Sequence, residues 1–135
     1  MTEHSIFRVI PGAGRWRSAG AAVCALLSLG GAIAGEADVL KAVASQQGDE
    51  WRFEVTIRSQ DRGWDYYCDR FEIVDGQGRV LGTRILFHPH ETEQPFTRDL
   101  GGVRIPDGVR SVTVRAAMKP GGAGGEQVDL VLPGR

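Results

Sequence analysis

The chain has 135 residues, with 16 Lys plus Arg against 17 Asp plus Glu, a formal net charge of −1, and 41% hydrophobic residues. That length is one domain, and the charge balance excludes both a strongly basic nucleic-acid binder and an acidic disordered tail. Two cysteines exclude a disulfide-dense scaffold and a four-cysteine zinc site, and 19 glycines, about twice ordinary usage, point to many turns.

Residues 18–34 read SAGAAVCALLSLGGAIA and carry no charge. Arg8, Arg15 and Arg17 precede them, and Ala32-Ile33-Ala34 closes them in a small-x-small pattern. Basic flank, apolar centre and small-residue exit make a secretory signal peptide, with cleavage expected after Ala34. The run is short and glycine-containing for a membrane span, which takes ~20 strongly apolar residues; a retained anchor is the alternative. Arg15-Trp16-Arg17 is no twin-arginine pair, so the chain is expected to cross the membrane unfolded. Cys24 follows Val23, where a lipidation site normally has a smaller residue.

The expected organisation is therefore a signal peptide over 1–34 and one domain over 35–135. Arg8, Arg15, Arg17 and Glu3 leave with the leader, which takes the formal charge from −1 to −3. One cysteine, Cys68, and two histidines, His88 and His90, remain. An unpaired cysteine in an oxidising compartment is a small buried hydrophobe, its commonest fate, or else a reactive thiol or an intermolecular bridge.

The mature sequence predicts seven short strands. The first covers Val39–Ala44. In the second, Trp51–Arg58, Trp51, Phe53, Val55 and Ile57 alternate with Arg52, Glu54, Thr56 and Arg58, the period of a strand with one wet face. The third, Tyr67–Val74, puts Tyr67, Asp69, Phe71 and Ile73 on one side. Asp75-Gly76-Gln77-Gly78 then predicts a hairpin turn into Val80–Phe87, with Asp75-Gly76 supplying the positive φ. Phe96–Leu100 is short, Pro106-Asp107-Gly108 is a turn, and Ser111–Ala116 and Val128–Leu132 alternate cleanly. Strands with regular turn signals and no helical period predict an immunoglobulin/fibronectin-III-like antiparallel β-sandwich, without the disulfide of antibody domains. A small closed barrel is the alternative. Ser59–Tyr66 and the glycine-rich Lys119–Glu126 read as loops, the latter as a flexible tip.

Two clusters could carry chemistry. In extended chain His88-Pro89-His90 puts two imidazoles on one face, ~6.5–7 Å apart along the strand. Neutral imidazole suits copper and zinc, and Glu91 or Glu93 could add an oxygen. Cys68, Asp65 and Asp69 are candidate third ligands without diagnostic spacing, and His88, His90 and Glu91 are the tentative metal set. The competing reading is structural, because Pro89 and Pro95 mark corners; pH sensing is a third. In the second cluster, Gly63–Arg70, Trp64, Asp65 and Tyr66 form a candidate ligand or partner surface, against a reading in which Trp64 only caps the sandwich. Catalysis has little support: no serine sits in a nucleophile elbow, Cys68 has no visible orienting partner, and Gly121–Gly125 lacks a phosphate-loop Lys-Ser/Thr.

The segments GWDYYCDRFEI, GRVLGTRILFHPHETEQPFTRDL and VRIPDGV resemble a family of small exported proteins of Gram-negative bacteria that share an HPH-x-x-EQPFTR core. The resemblance covers most of the mature chain. It implies an exported single domain, implies no activity, and directs attention to His88, His90 and Arg98, with Arg98 joining the candidate surface. The expectation is a periplasmic or secreted, non-enzymatic binding or accessory module. Its expected partner is an envelope or extracellular protein, with no nucleic acid, no cofactor and no stable membrane span in the mature chain. A copper- or zinc-binding protein is the alternative, and a small hydrolase using Cys68 or Asp65 ranks below both.

Overall fold

The structure is a computed structural model that describes residues 23–27 and 36–135. Among these residues the regular secondary structure is all strand: β1 (Val23–Leu27), β2 (Ala37–Gln47), β3 (Glu50–Ser59), β4 (Tyr67–Val74), β5 (Val80–Ile85), β6 (Phe96–Val103), β7 (Ser111–Lys119), β8 (Gly122–Ala123) and β9 (Val128–Val131). One sheet runs β1-β2-β3-β6; the other runs β5-β4-β7, with both β8 and β9 paired to β7. Every pairing is antiparallel. The fold is the expected two-sheet sandwich.

The alternation of β3 decides the core. Trp51, Phe53, Val55 and Ile57 are fully buried and meet Phe71 and Ile73 of β4, Val114 of β7 and Leu130 of β9 between the sheets. Each such side chain contributes roughly 1.5–3 kcal/mol on leaving water. Cys68 is buried and free, so this core holds without a disulfide.

Four expectations are corrected. In β4 the register against β7 slips between Cys68 and Arg70. This bulge turns Cys68 inward with Phe71 and Ile73 and leaves Asp69 partly exposed, so Asp69 does not share the core face. The strand after the hairpin ends at Ile85 rather than Phe87, and as a sheet edge it leaves Val80 and Ile85 exposed. β6 runs on to Val103, because a bulge lets Trp51 pair with Val103 and Phe53 with Leu100, with Gly102 at φ 69°. The Asp75 turn forms as expected, but its positive φ sits at Gly78 rather than Gly76; Asp75 accepts from the backbone N–H of Gln77 and Arg79.

The glycine-rich tip is also tied down. β8 pairs with β7, Val39 N–H donates to the Glu126 carbonyl, and Glu126 N–H donates to the buried Asp38 carboxylate. Gly125 lies so close to Ala37 that a Cβ there would collide with the Ala37 carbonyl.

Register places the loops. Ile57 pairs with Phe96, Tyr67 with Lys119, Arg70 with Ile85 and Ala37 with Ser59. The segments 60–66, 86–95 and 120–127 therefore gather at one end of the sandwich, beside the start of β2. Turns 48–49, 75–79 and 104–110 lie at the other.

The apolar centre of the expected leader lies on the edge of β2, with Val23 opposite Ser45 and Leu27 opposite Lys41. Arg8, Arg15, Arg17 and Ala32–Ala34, the other marks of that leader, lie outside the described residues. Among the described residues no helix is long and apolar enough to cross a membrane.

Candidate functional site

The crowded loop end is organised by Asp61, which the sequence reading passed over as one more polar loop residue. Its carboxylate is buried. One oxygen accepts from Ser59 Oγ (2.8 Å) and Cys68 N–H (2.9 Å); the other accepts from His90 N–H (2.8 Å). Asp61 thus joins both connections that cross between the sheets at this end, β3 to β4 and β5 to β6. Gln94 adds a second tie: it accepts from Ser59 N–H and donates to the His90 carbonyl. Only the contact with Ser59, two residues away, is local in sequence.

His88 and His90 leave β5 in a loop rather than a strand, with ring centroids 4.6 Å apart, closer than extended chain would put them. Their environments differ. His88 is exposed, its Nδ1 3.1 Å from the Pro89 carbonyl. His90 is buried and stacks on Phe96 at 4.0 Å and 9°. Its Nε2 lies 3.1 Å from the Arg98 guanidinium. A guanidinium only donates, so Nε2 accepts and the ring proton sits on Nδ1, 3.9 Å from Asp61 Oδ2. Burial, then Arg98 and His88, hold the His90 imidazole below its ordinary pKa, against the opposing pull of Asp61 and Glu93. Arg98 also pairs with Glu93 at 3.0 Å, which lowers the Glu93 carboxyl.

A metal on this pair would have to displace Arg98 from His90. Glu91 is exposed, and its Oε1 faces Gly63 across the two loops. Among the described residues no group of three or more His, Cys, Asp or Glu side chains is placed to hold a metal ion.

Cys68 is fully buried, and desolvation followed by the Asp61 charge pushes its thiol up to about 12. The thiolate that nucleophilic chemistry needs is therefore strongly disfavoured. Asp65 is exposed on the Trp64 loop.

The aromatic segment behaves differently from the histidines. Tyr67 is in the core, while Trp64 is 62% exposed and meets Tyr67 edge-on at 5.9 Å. Tyr66 is half-buried beneath the Arg62 guanidinium at 4.2 Å, and Lys119 lies over Tyr67 at 5.7 Å. Arg62 N–H donates to the Tyr66 carbonyl and Tyr66 N–H to the Gly63 carbonyl, so Trp64 projects from a closed turn. Phe87, in the neighbouring loop of the same end, is 75% exposed. Of the expected surface residues, Trp64, Asp65 and Tyr66 share this end with accessible faces. Arg98 is largely engaged with His90 and Glu93.

Over 82 residues the chain is 37% identical to a protein of the archaeon Halomicrobium mukohataei named "Putative lipoprotein". The match covers 61% of this chain and 40% of that protein, so the chain spans well under half of its relative's length. The similarity thus reaches an archaeal protein, outside the Gram-negative bacteria of the sequence resemblance. The chain matches no protein-family profile and no solved structure.

Proposed function

We propose that this chain is an exported, non-catalytic accessory domain that binds an envelope or extracellular protein through its loop end, with Trp64 as anchor. The observation that carries the reading is the exposure of Trp64 on a hydrogen-bonded turn, beside the exposed Phe87 loop. Exposed aromatics on a fixed support are the usual anchors of protein interfaces, where a buried Trp supplies ≥ ~2 kcal/mol. The leader-like segment and the lipoprotein name of the archaeal relative support an envelope or extracellular setting. The deep burial of Cys68 supports the non-catalytic part.

The test places a photo-crosslinking residue at position 64 in the producing cell, and separately at Asp107 on the opposite end. A discrete protein adduct from position 64 and none from 107 is the expected result. Equal labelling, or none at either position, would remove the loop end as the binding surface.

A further inference from the structure

Sandwiches have edges, and most edges here are guarded. The β6 edge is covered by β5: Arg84 donates to the Asp99 carbonyl at 3.1 Å, and Gly82 lies so near that a Cβ would stand 3.1 Å from Val103 Cγ2 and 3.2 Å from Leu100 Cδ2. β9 has 4 residues, too few to template much pairing. β2 is the longest strand among the described residues, at 11 residues, and its outer edge is occupied by β1. That occupant comes from the segment that reads as a leader.

The edge has a defined acceptor length. A bulge between Val39 and Lys41 interrupts the β2–β3 register on one side, and the turn at Gly48 (φ 67°) ends the strand on the other. Between them Lys41, Ala42, Val43, Ala44 and Ser45 pair one to one with the apolar strand β1. Lys41 is the single charge in that stretch. Side chains directly opposite across a ladder share a face. Leu26 stands opposite the fully buried Ala42 and turns only partly inward, with 39% of its surface exposed. There it forms one wall of a cavity of about 460 Å³, together with Val112, Leu130 and Val131 of β7 and β9.

Resting on the reading of residues 1–34 as a removed leader, we infer that processing converts β2 into a strand acceptor. Its edge at Lys41–Ser45 takes up an extended antiparallel segment of a partner protein that carries a large aliphatic residue opposite Ala42. Main-chain hydrogen bonds supply the attachment and the side-chain cavity supplies the selection, the usual division of labour in strand addition. A second copy of this chain fits less well. Self-pairing about Val43 would set Ala44 of the other copy opposite Ala42, and a methyl group falls short of the cavity wall that Leu26 reaches.

The experiment uses the protein exported from its full-length gene, with its N-terminus read by intact mass. The probes are a peptide of residues 20–30 carrying Cys24→Ser and the same peptide carrying also Leu26→Asp. Hydrogen exchange at those amides of 41–45 that point away from β3 is followed with and without each. The expected result is slowing of those amides by about tenfold or more with the first peptide, and none with the second. A processed protein whose amides respond to neither peptide overturns the inference while leaving the leader reading intact. Retention of residues 23–27 in the exported protein overturns both, because the edge never opens. Amides already protected before peptide is added, with a doubled solution mass, overturn it in favour of pairing between copies.

Discussion

Replacing Asp61 by Ala is the sharpest perturbation of the loop end. The substitution removes three accepted hydrogen bonds, from Ser59 Oγ, Cys68 N–H and His90 N–H. Ser59 Oγ keeps its contact with Gln94 Nε2 at 3.2 Å. The backbone N–H groups of Cys68 and His90, both in buried residues, lose the acceptor they share. An orphaned buried donor costs about 1–3 kcal/mol, so two predict a loss of about 2–6 kcal/mol, centred near 4. A domain of this size has roughly 5–15 kcal/mol in total, so the variant folds but is severely weakened. With a urea slope of about 1–2 kcal/mol/M, the unfolding midpoint should fall by about 1 M or more. Amide exchange should accelerate at Cys68 and His90 before it does in the centre of β3. A midpoint shift below about 0.5 M, or unchanged exchange at those two amides, would refute the role given to Asp61.

Two further outcomes test other parts of the fold. Gly125→Ala should destabilise by about 2 kcal/mol or more, because the new methyl meets backbone rather than a side chain that can swing away; Gly124→Ala, where a Cβ meets nothing within 4 Å, should be close to neutral in the same urea titration. His90 is held below its ordinary pKa, faced by Arg98, His88, Asp61 and Glu93. The folded state therefore binds its proton less readily than the unfolded chain. The stability this gives is present above an unfolded pKa of about 6.5 and is lost as pH falls through the folded value. Unfolding midpoints compared at pH 7.5 and near 5 should show that decline. It should be absent in His90→Gln, whose amide does not titrate, and distinct from losses at lower pH, where Glu93, Asp99 and Asp75, all held low by their arginine partners or hydrogen bonds, become protonated.

The sandwich was legible because strands such as β3 and β9 alternate strictly, and alternation is a local property of the chain. The misread pieces share one cause: their phase or length depends on a neighbour. The bulge beside Asp69 is visible only against β7, the exposure of Val80 and Ile85 only once β5 is known to be an edge, and the extension of β6 only through its pairing with Trp51. The candidate site was legible as residue types but not as an arrangement. That the Trp64 loop, the histidine segment and the glycine tip share one end follows from strand order, which no short segment encodes. Asp61 was hidden for the same reason, since two of its three partners lie 7 and 29 residues away. The Arg98 pairing shows what the HPH-x-x-EQPFTR pattern does locally: the arginine that ends it reaches back to its second histidine.

The Arg62–Tyr66 backbone bond separates two tasks. The ring it closes is anchored to the fold through Asp61 on one side and Tyr67 on the other, while Trp64 and Asp65 stand outside it in solvent. Side chains at those two positions can be exchanged without loosening the junction beneath them. The end of the sandwich is therefore built as a socket with a replaceable tip: the side chains it displays are free to diverge while the scaffold stays unchanged. In the proposed binding role the backbone of the Trp64 turn is set before contact, so less disorder has to be removed on binding.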